Sequence, residues 1–262
     1  MTIATTTLLA LMGGDFLALS FFSAGHRLLS EGLDFLKAKL RKMCGFCQIK
    51  LQSIFASMDS AWKKEDLAFA LQVDGARVFA VELDLVNSTP DLSVLSQAKR
   101  LRAEVFSIPE MKARFIAQRV WLRRVLGKEL GCDPQRVPLF YDTDGRPRLQ
   151  DVASHTSWSH SGDAIALVVD SHREVGLDLE YHRKKDYSRL AERFFHPDDI
   201  PLPDSDAFFR LWTRKEAHFK CCGGSLVTSL GLSARAFERL VCFDLVCPFL
   251  APCSLCLVTK PG

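Results

Sequence analysis

The sequence predicts a mixed α/β (α+β) fold of two similar lobes preceded by a helical extension, and three observations predict it. First, strand-like apolar runs alternate with amphipathic helices from about residue 76 onward. Second, these elements fall into two halves, 76–174 and 175–262, each reading strand, helices, strand, with no exact internal sequence repeat. Third, 262 residues suffice for one large domain or two small ones, and a composition 48% hydrophobic and 25% charged is that of a globular chain able to bury a core.

Taken in order, residues 1–75 look unlike the rest. Leu28 to Lys42 carries Leu29, Leu33, Phe35, Leu36 and Leu40 at helix-like spacing, and little in this region resembles a strand. Residues 1–75 are therefore read as a helical or poorly ordered N-terminal extension, of which 1–57 have no catalytic role, with Met58 as an alternative start. Val78 to Leu85 then reads as a strand, and Ile108 to Leu130 as a long helix with Pro109 near its first position and Gly131 just past its end. Asp142-Thr143-Asp144-Gly145 is a turn signal. Ala164 to Val169 and Val175 to Glu180 read as buried strands, Asp186 to Phe195 and Ser205 to Cys221 as helices, and the tail from Val241 to Thr259 as strand-like. Gly223-Gly224 stops the second of these helices as a C-terminal cap does.

Composition narrows the partners. A formal net charge of +3 is too small to argue for nucleic acid. Residues 99–124, however, hold eight basic side chains against Glu104 and Glu110, a local surface suited to an anionic ligand or an acidic partner. Nine cysteines, an odd count with Cys221 and Cys222 adjacent, fit reduced thiols better than a disulfide framework. Cys44-x-x-Cys47 and Cys253-x-x-Cys256 read as packed thiols in preference to a zinc site. The apolar first 25 residues lack a basic leader and are interrupted by Asp15, so no targeting segment or membrane span is expected and the default location is cytoplasmic.

Chemistry concentrates in four places. On a strand, Asp178 and Glu180, two residues apart, project to one side. On a helix, Trp212, Glu216, Phe219 and Lys220 share a face. If strand and helix pack together, Asp178, Glu180 and Glu216 offer the oxygen ligands Mg²⁺ prefers, and Lys220 neutralises a phosphate or protonates a leaving oxygen. The alternative for the helix is a solvated Glu216–Lys220 pair. Ser157 to Gly162 is read as a polar loop at a strand entrance, where Ser159 and His160 can donate to a phosphate. It is no serine-hydrolase elbow, because Gly-x-Ser-x-Gly is missing. In Gly145-Arg146-Pro147 a turn and a fixed strand start hold Arg146 outward as an anion donor. Arg114, Arg119 and Arg123 on the long helix read as a basic solvated face, or as a row that binds a nucleotide phosphate or an acidic protein.

In order and spacing, Gly145-Arg146-Pro147, Ser159-His160-Ser161, Gly176-Leu177-Asp178-Leu179-Glu180 and Trp212-Thr213-Arg214-Lys215-Glu216-Ala217-His218-Phe219-Lys220 resemble the motifs of the 4′-phosphopantetheinyl transferases, close to the bacterial holo-acyl-carrier-protein synthase branch. The resemblance covers roughly residues 76 to 262. It implies a pair of similar lobes with the active site between them, a monomer, and transfer of phosphopantetheine from coenzyme A to a serine of an acyl or peptidyl carrier protein. By the same resemblance Asp178, Glu180 and Glu216 hold Mg²⁺, Glu216 takes the serine proton, and Lys220 stabilises the leaving phosphate. Arg146, Ser159 and His160 then contact coenzyme A phosphates, joined by Arg114 and Arg119, and neither nucleic acid nor membrane is a partner. Ser157, Trp158, Arg146 and Ser225 depart from the family's usual residues. A metal-dependent phosphohydrolase and a binding module of weak turnover are the alternatives.

Overall fold

The protein is described by a computed structural model, which covers residues 5–12, 15–22, 52–54, 69–73, 75–86, 90–143, 145–245 and 253–260. The strands are β1 (Thr5–Met12), β2 (Asp15–Phe22), β3 (Gln52–Ile54), β4 (Phe69–Val73), β5 (Ala76–Glu82), β6 (Leu139–Tyr141), β7 (Pro147–Leu149), β8 (His155–Ser161), β9 (Ala164–Asp170), β10 (Val175–Tyr181), β11 (Val241–Leu245) and β12 (Cys253–Thr259). The helices are α1 (Gln97–Glu104), α2 (Pro109–Leu130), α3 (Ser188–Phe194), α4 (Ser205–Cys222) and α5 (Leu226–Gly231).

The described residues form three antiparallel sheets. The largest runs β3-β1-β2-β4-β5-β9-β8, the second β10-β12-β11, and β6 with β7 forms a hairpin. Within each half the three principal strands stand in the order first, third, second: β5-β9-β8 and β10-β12-β11. In both, helices are inserted between the first and second of these strands.

Two sequence expectations are corrected. The described part of residues 1–73 is strand, not helix, and it extends the first sheet beyond β5. Thr5–Met12 and Asp15–Phe22 are apolar runs on either side of Gly13-Gly14, with Met12 opposite Asp15, a hairpin pattern that the helix-like stretch downstream overshadowed. The helix expected over 28–42 lies outside the described residues. Ser157–Gly162 is likewise no loop: Ser157 to Ser161 belong to β8, and Gly162, at φ 58°, makes the turn into β9. Its polar residues carry none of the apolar alternation by which a strand is recognised.

The core sits where the two sheets and α2 meet. Leu177 and Leu179 of β10 pack on Val78, Ala80, Ala166 and Val168 of the first sheet. The other face of that sheet, with Phe79, Ile165 and Leu167, is covered by Trp121, Leu122, Val125 and Leu126 of α2. Helix α2 begins at Pro109, whose missing N–H would have no partner there anyway, and ends on Gly131 at φ 65°.

Strand β10 alternates, so Gly176, Asp178 and Glu180 face the opposite way, toward α4. Glycine is required at 176: a Cβ there would lie 1.9 Å from the Ala217 carbonyl oxygen and 2.5 Å from the Cys221 nitrogen. The backbone of α4 thus rests directly on β10, which brings Glu216 and Lys220 over the two carboxylates.

Candidate active site

Lys220 donates to Asp178 Oδ1 at 2.7 Å and to Ser159 Oγ at 2.9 Å, and Ser159 itself donates to Asp178 Oδ1 at 2.7 Å. Asp178 is 1% exposed, and its second oxygen, Oδ2, is buried without a hydrogen-bond partner. Burial pushes the Glu216 carboxyl up to about 7, helped by the charges of Asp178 and Glu180 and opposed by Lys220. Glu180 is raised too, again chiefly by burial, with Asp178 adding to the shift and a hydrogen bond from Ser161 opposing it. Three carboxylates share one desolvated region, with Lys220 as the cation that opposes the shift of both glutamates and Arg183 acting on Glu180. Such a group lacks positive charge. Their oxygens are not drawn within 4.8 Å of one another as a trio.

Strand β8 joins the two halves through hydroxyls. Ser157 Oγ accepts from the Leu177 amide at 3.1 Å, Ser161 Oγ donates to Glu180 Oε2 at 2.7 Å, and Ser161 Oγ accepts from the Tyr181 amide at 3.1 Å. With Ser159, these serines recur at every second residue and hold β10 by its side chains and edge amides. Sequence reasoning found Ser159 and missed the roles of Ser157 and Ser161. Their period of two was the available signal.

Beside Lys220 opens a cavity of about 190 Å³ lined by Tyr141, Arg146, Arg148, Ser157, Trp158, Glu174 and Phe219, among others. Arg146 lies against the end of α4: a Cβ on Gly223, itself at φ 79°, would meet the Arg146 guanidinium at 2.8 Å. The turn expected at Asp142–Gly145 closes with the Gly145 amide on the Asp142 carbonyl at 2.9 Å. Asp142 also holds Arg146 at 3.3 Å and Arg148 at 3.0 Å. Arg148, to which sequence reasoning assigned no role, is further bound by Glu174 at 2.8 Å.

On the other side of β8, Trp158 stacks on His160 with ring centroids 5.7 Å apart. Arg119 sits between Phe115 and Trp158, its guanidinium carbon 4.4 and 4.6 Å from the ring centres. Partial desolvation, with the cations Arg119, Lys220 and Arg114, keeps His160 below its ordinary value, so it is neutral at pH 7. Arg114 is paired with Asp163 at 2.6 Å. Arg123 is not on a ligand-facing surface: its Nη1 donates to the carbonyls of Pro134 at 3.0 Å and Val137 at 3.1 Å and fixes the chain after α2.

Lys215 is a further residue whose role the sequence hid. Its side chain is 0% exposed, bonded to Asp199 Oδ2 at 2.8 Å and to the Leu232 carbonyl. Asp199 also accepts from the Ala234 amide at 2.9 Å. This pair ties the segments before α4 and after α5 to the helix that carries Glu216 and Lys220.

The family description "4′-phosphopantetheinyl transferase superfamily" matches residues 174–241, which span β10, α4 and the start of β11. The 4′-phosphopantetheinyl transferase HetI of Nostoc sp. is 34% identical over 183 residues, covering 64% of this chain and 77% of that protein. The chain belongs to this superfamily. The transferase AcpT of Salmonella typhimurium is 36% identical over 147 residues, 51% of this chain and 72% of its own length. A putative 4′-phosphopantetheinyl transferase of Synechocystis sp. is 33% identical over 142 residues, of which the matched part is 58% of its length. Membership makes the chain an enzyme of the transferase class. Among the described residues no helix is long and apolar enough to cross a membrane.

Proposed function

We propose that this protein transfers 4′-phosphopantetheine from coenzyme A to a serine of an acyl or peptidyl carrier protein, with adenosine 3′,5′-bisphosphate as the other product. The observation that carries this reading is the buried Asp178 Oδ2 without a hydrogen-bond partner, beside Glu216 and Glu180, whose carboxyls are both raised by burial and by the Asp178 charge. A hard cation with oxygen affinity fits such a group, and Asp178, Glu180 and Glu216 would hold Mg²⁺. When bound, that ion supplies charge neutralisation for a pyrophosphate.

The chain's own residues do the rest. Glu216, ionised in a large fraction of molecules near pH 7, takes the proton of the carrier serine hydroxyl. The serine oxygen forms its bond to the phosphorus that bears pantetheine, and the bond from that phosphorus to the adenosine bisphosphate oxygen breaks. Lys220, already between Ser159 and Asp178, supplies positive charge or a proton to the departing oxygen. Arg146 lines the adjacent cavity as a phosphate contact, and Ser159 holds Lys220 in place. Arg114, Arg119 and neutral His160 stand on the far side of β8 as further anion contacts, with Arg114 exchanging Asp163 for phosphate. Cytoplasmic location and a monomeric state accompany this reading.

The test is the intact mass of carrier proteins from fatty-acid, polyketide and peptide systems after incubation with this protein, coenzyme A and Mg²⁺. A gain of one phosphopantetheine that disappears with chelator is expected. Release of the bisphosphate without any acceptor would support the phosphohydrolase alternative instead.

A further inference from the structure

The thiols of the second sheet form a cluster that phosphopantetheine transfer does not use. Cys242 on β11 and Cys256 on β12 bring their sulfurs to 3.2 Å. Asp244 stands two residues along β11 from Cys242, on the same side of the strand, and directly opposite Cys256 in the register. One ligand atom from each of the three lies within 4.8 Å of the other two, and no other group of histidine, cysteine and carboxylate residues among the described residues meets that condition. Cys253, the partner expected from the Cys-x-x-Cys spacing, is three residues from Cys256 on one strand and therefore points to the opposite face.

The surroundings suit a metal. Cys256 is fully buried against Ala217 and Cys221 of α4, so the sulfur side is dry. The Asp244 side chain keeps 28% exposure and leaves a path from solvent. Arg214 of α4 donates to Asp244 through Nε at 2.8 Å and also through Nη2. Arg214 thereby holds both Asp244 oxygens, and an ion would use the second lone pair of one of them, with the arginine orienting the ligating carboxylate from outside.

The register decides between the two chemistries open to paired thiols. Cys242 is opposite Val258, so Cys242 and Cys256 are diagonal neighbours. Diagonal Cα atoms in an antiparallel pair stand roughly 7–8 Å apart, beyond the roughly 4.4–6.8 Å of a disulfide. Two thiolates at about 2.3 Å from one tetrahedral ion lie roughly 3.7 Å apart, a small adjustment from the 3.2 Å found here.

We propose that Cys242, Asp244 and Cys256 bind one thiophilic divalent cation, Zn²⁺ by ligand type, with a fourth position open to water. Binding displaces the protons of both thiols to solvent and leaves two thiolates and one carboxylate on the ion. The ion would fasten β11 to β12 beneath α4, apart from the transfer centre.

The test uses the full chain, reduced with a phosphine and freed of metal, titrated with Co²⁺ as a spectroscopic probe. One equivalent of Co²⁺ giving a thiolate-to-metal charge-transfer band, which Zn²⁺ then abolishes, is expected. Cys242→Ser should remove the band, and Asp244→Asn should weaken affinity at least about 10-fold. Cys44→Ser/Cys47→Ser should leave both unchanged. Since Cys256 is in the core, Cys242→Ser and Asp244→Asn at the more exposed end of the cluster decide the matter. A featureless titration of the parent overturns the proposal, as does a band that survives Cys242→Ser. Mass mapping of a Cys242–Cys256 disulfide in protein isolated without reductant, together with no Co²⁺ band after reduction, would assign the pair to oxidation instead.

Discussion

Lys215 and Lys220 sit five residues apart on α4, and each donates to an aspartate, at 2.8 Å and 2.7 Å respectively. The pairs differ in what surrounds them. Lys215 and Asp199 are 0% and 6% exposed, and each has further partners in the Leu232 carbonyl and the Ala234 amide. Lys220 is 23% exposed at the mouth of a cavity, and its partner Asp178 keeps a buried oxygen with no partner beside two repelling carboxyls. A sealed pair with satisfied neighbours holds segments together. An open pair with a surplus of carboxylates around it has the chemistry of a cation site. Ion pairing alone separates neither case, whereas solvent access and the unpartnered oxygen separate both.

Breaking each pair sharpens the contrast. Lys220→Ala should lower the phosphopantetheine transfer rate by about 10²–10⁴-fold. Its melting temperature, measured with Mg²⁺ present, should stay close to the parent's, because the cation then compensates the Asp178 charge. Lys215→Ala should do the reverse and cost about 3–5 kcal/mol in urea unfolding, since Asp199 is left buried and uncompensated. The protein that remains folded should transfer at a rate far closer to the parent's. Gly176→Ala acts on both regions at once. The Cβ meets the α4 backbone, so α4 must shift and both stability, by about 1–3 kcal/mol, and transfer should fall together. Ser161→Ala, which removes one hydroxyl between Glu180 and the Tyr181 amide, should cost only about 1 kcal/mol in the same unfolding assay.

The sequence was most legible where periodicity and chemistry coincide. Asp178 and Glu180 at a spacing of two, and Glu216 and Lys220 at a spacing of four, were readable as two converging faces because apolar Leu177, Leu179, Leu211 and Ala217 mark the other faces of the strand and helix. The convergence itself depends on Gly176, whose importance is a matter of distance to a helix remote in sequence. Strand β8 was obscured because Ser157, Ser159 and Ser161 line the side that faces β10, where an apolar pattern would have revealed it. Lys215 looked like one more surface cation, since a charge in a helix does not disclose that an aspartate sixteen residues earlier will seal it. Arg123 belonged, by spacing, to the basic face of α2, yet carbonyls beyond the helix end consume it. Strands β1 and β2 lie in a segment whose stronger signal is the helical spacing of the stretch that follows them.

Glu216 gives the account its most direct test, because it links the charge surplus to the reaction. Its carboxyl rises from an ordinary 4.5 to about 7 in the fold. Between those values the folded state binds a proton that the unfolded state has released, so its contribution is favourable at low pH and is lost as pH rises through 7. Above pH 7 ionisation of Glu216 therefore costs stability, up to about 3 kcal/mol. The measurement is transfer rate and urea stability of Glu216→Gln beside the parent, at pH 8, with stability taken in the absence of divalent cation. The account predicts a variant more stable by about 1–3 kcal/mol and slower in transfer by at least about 10²-fold. A variant that transfers at the parent's rate, or that is less stable than the parent, would contradict it.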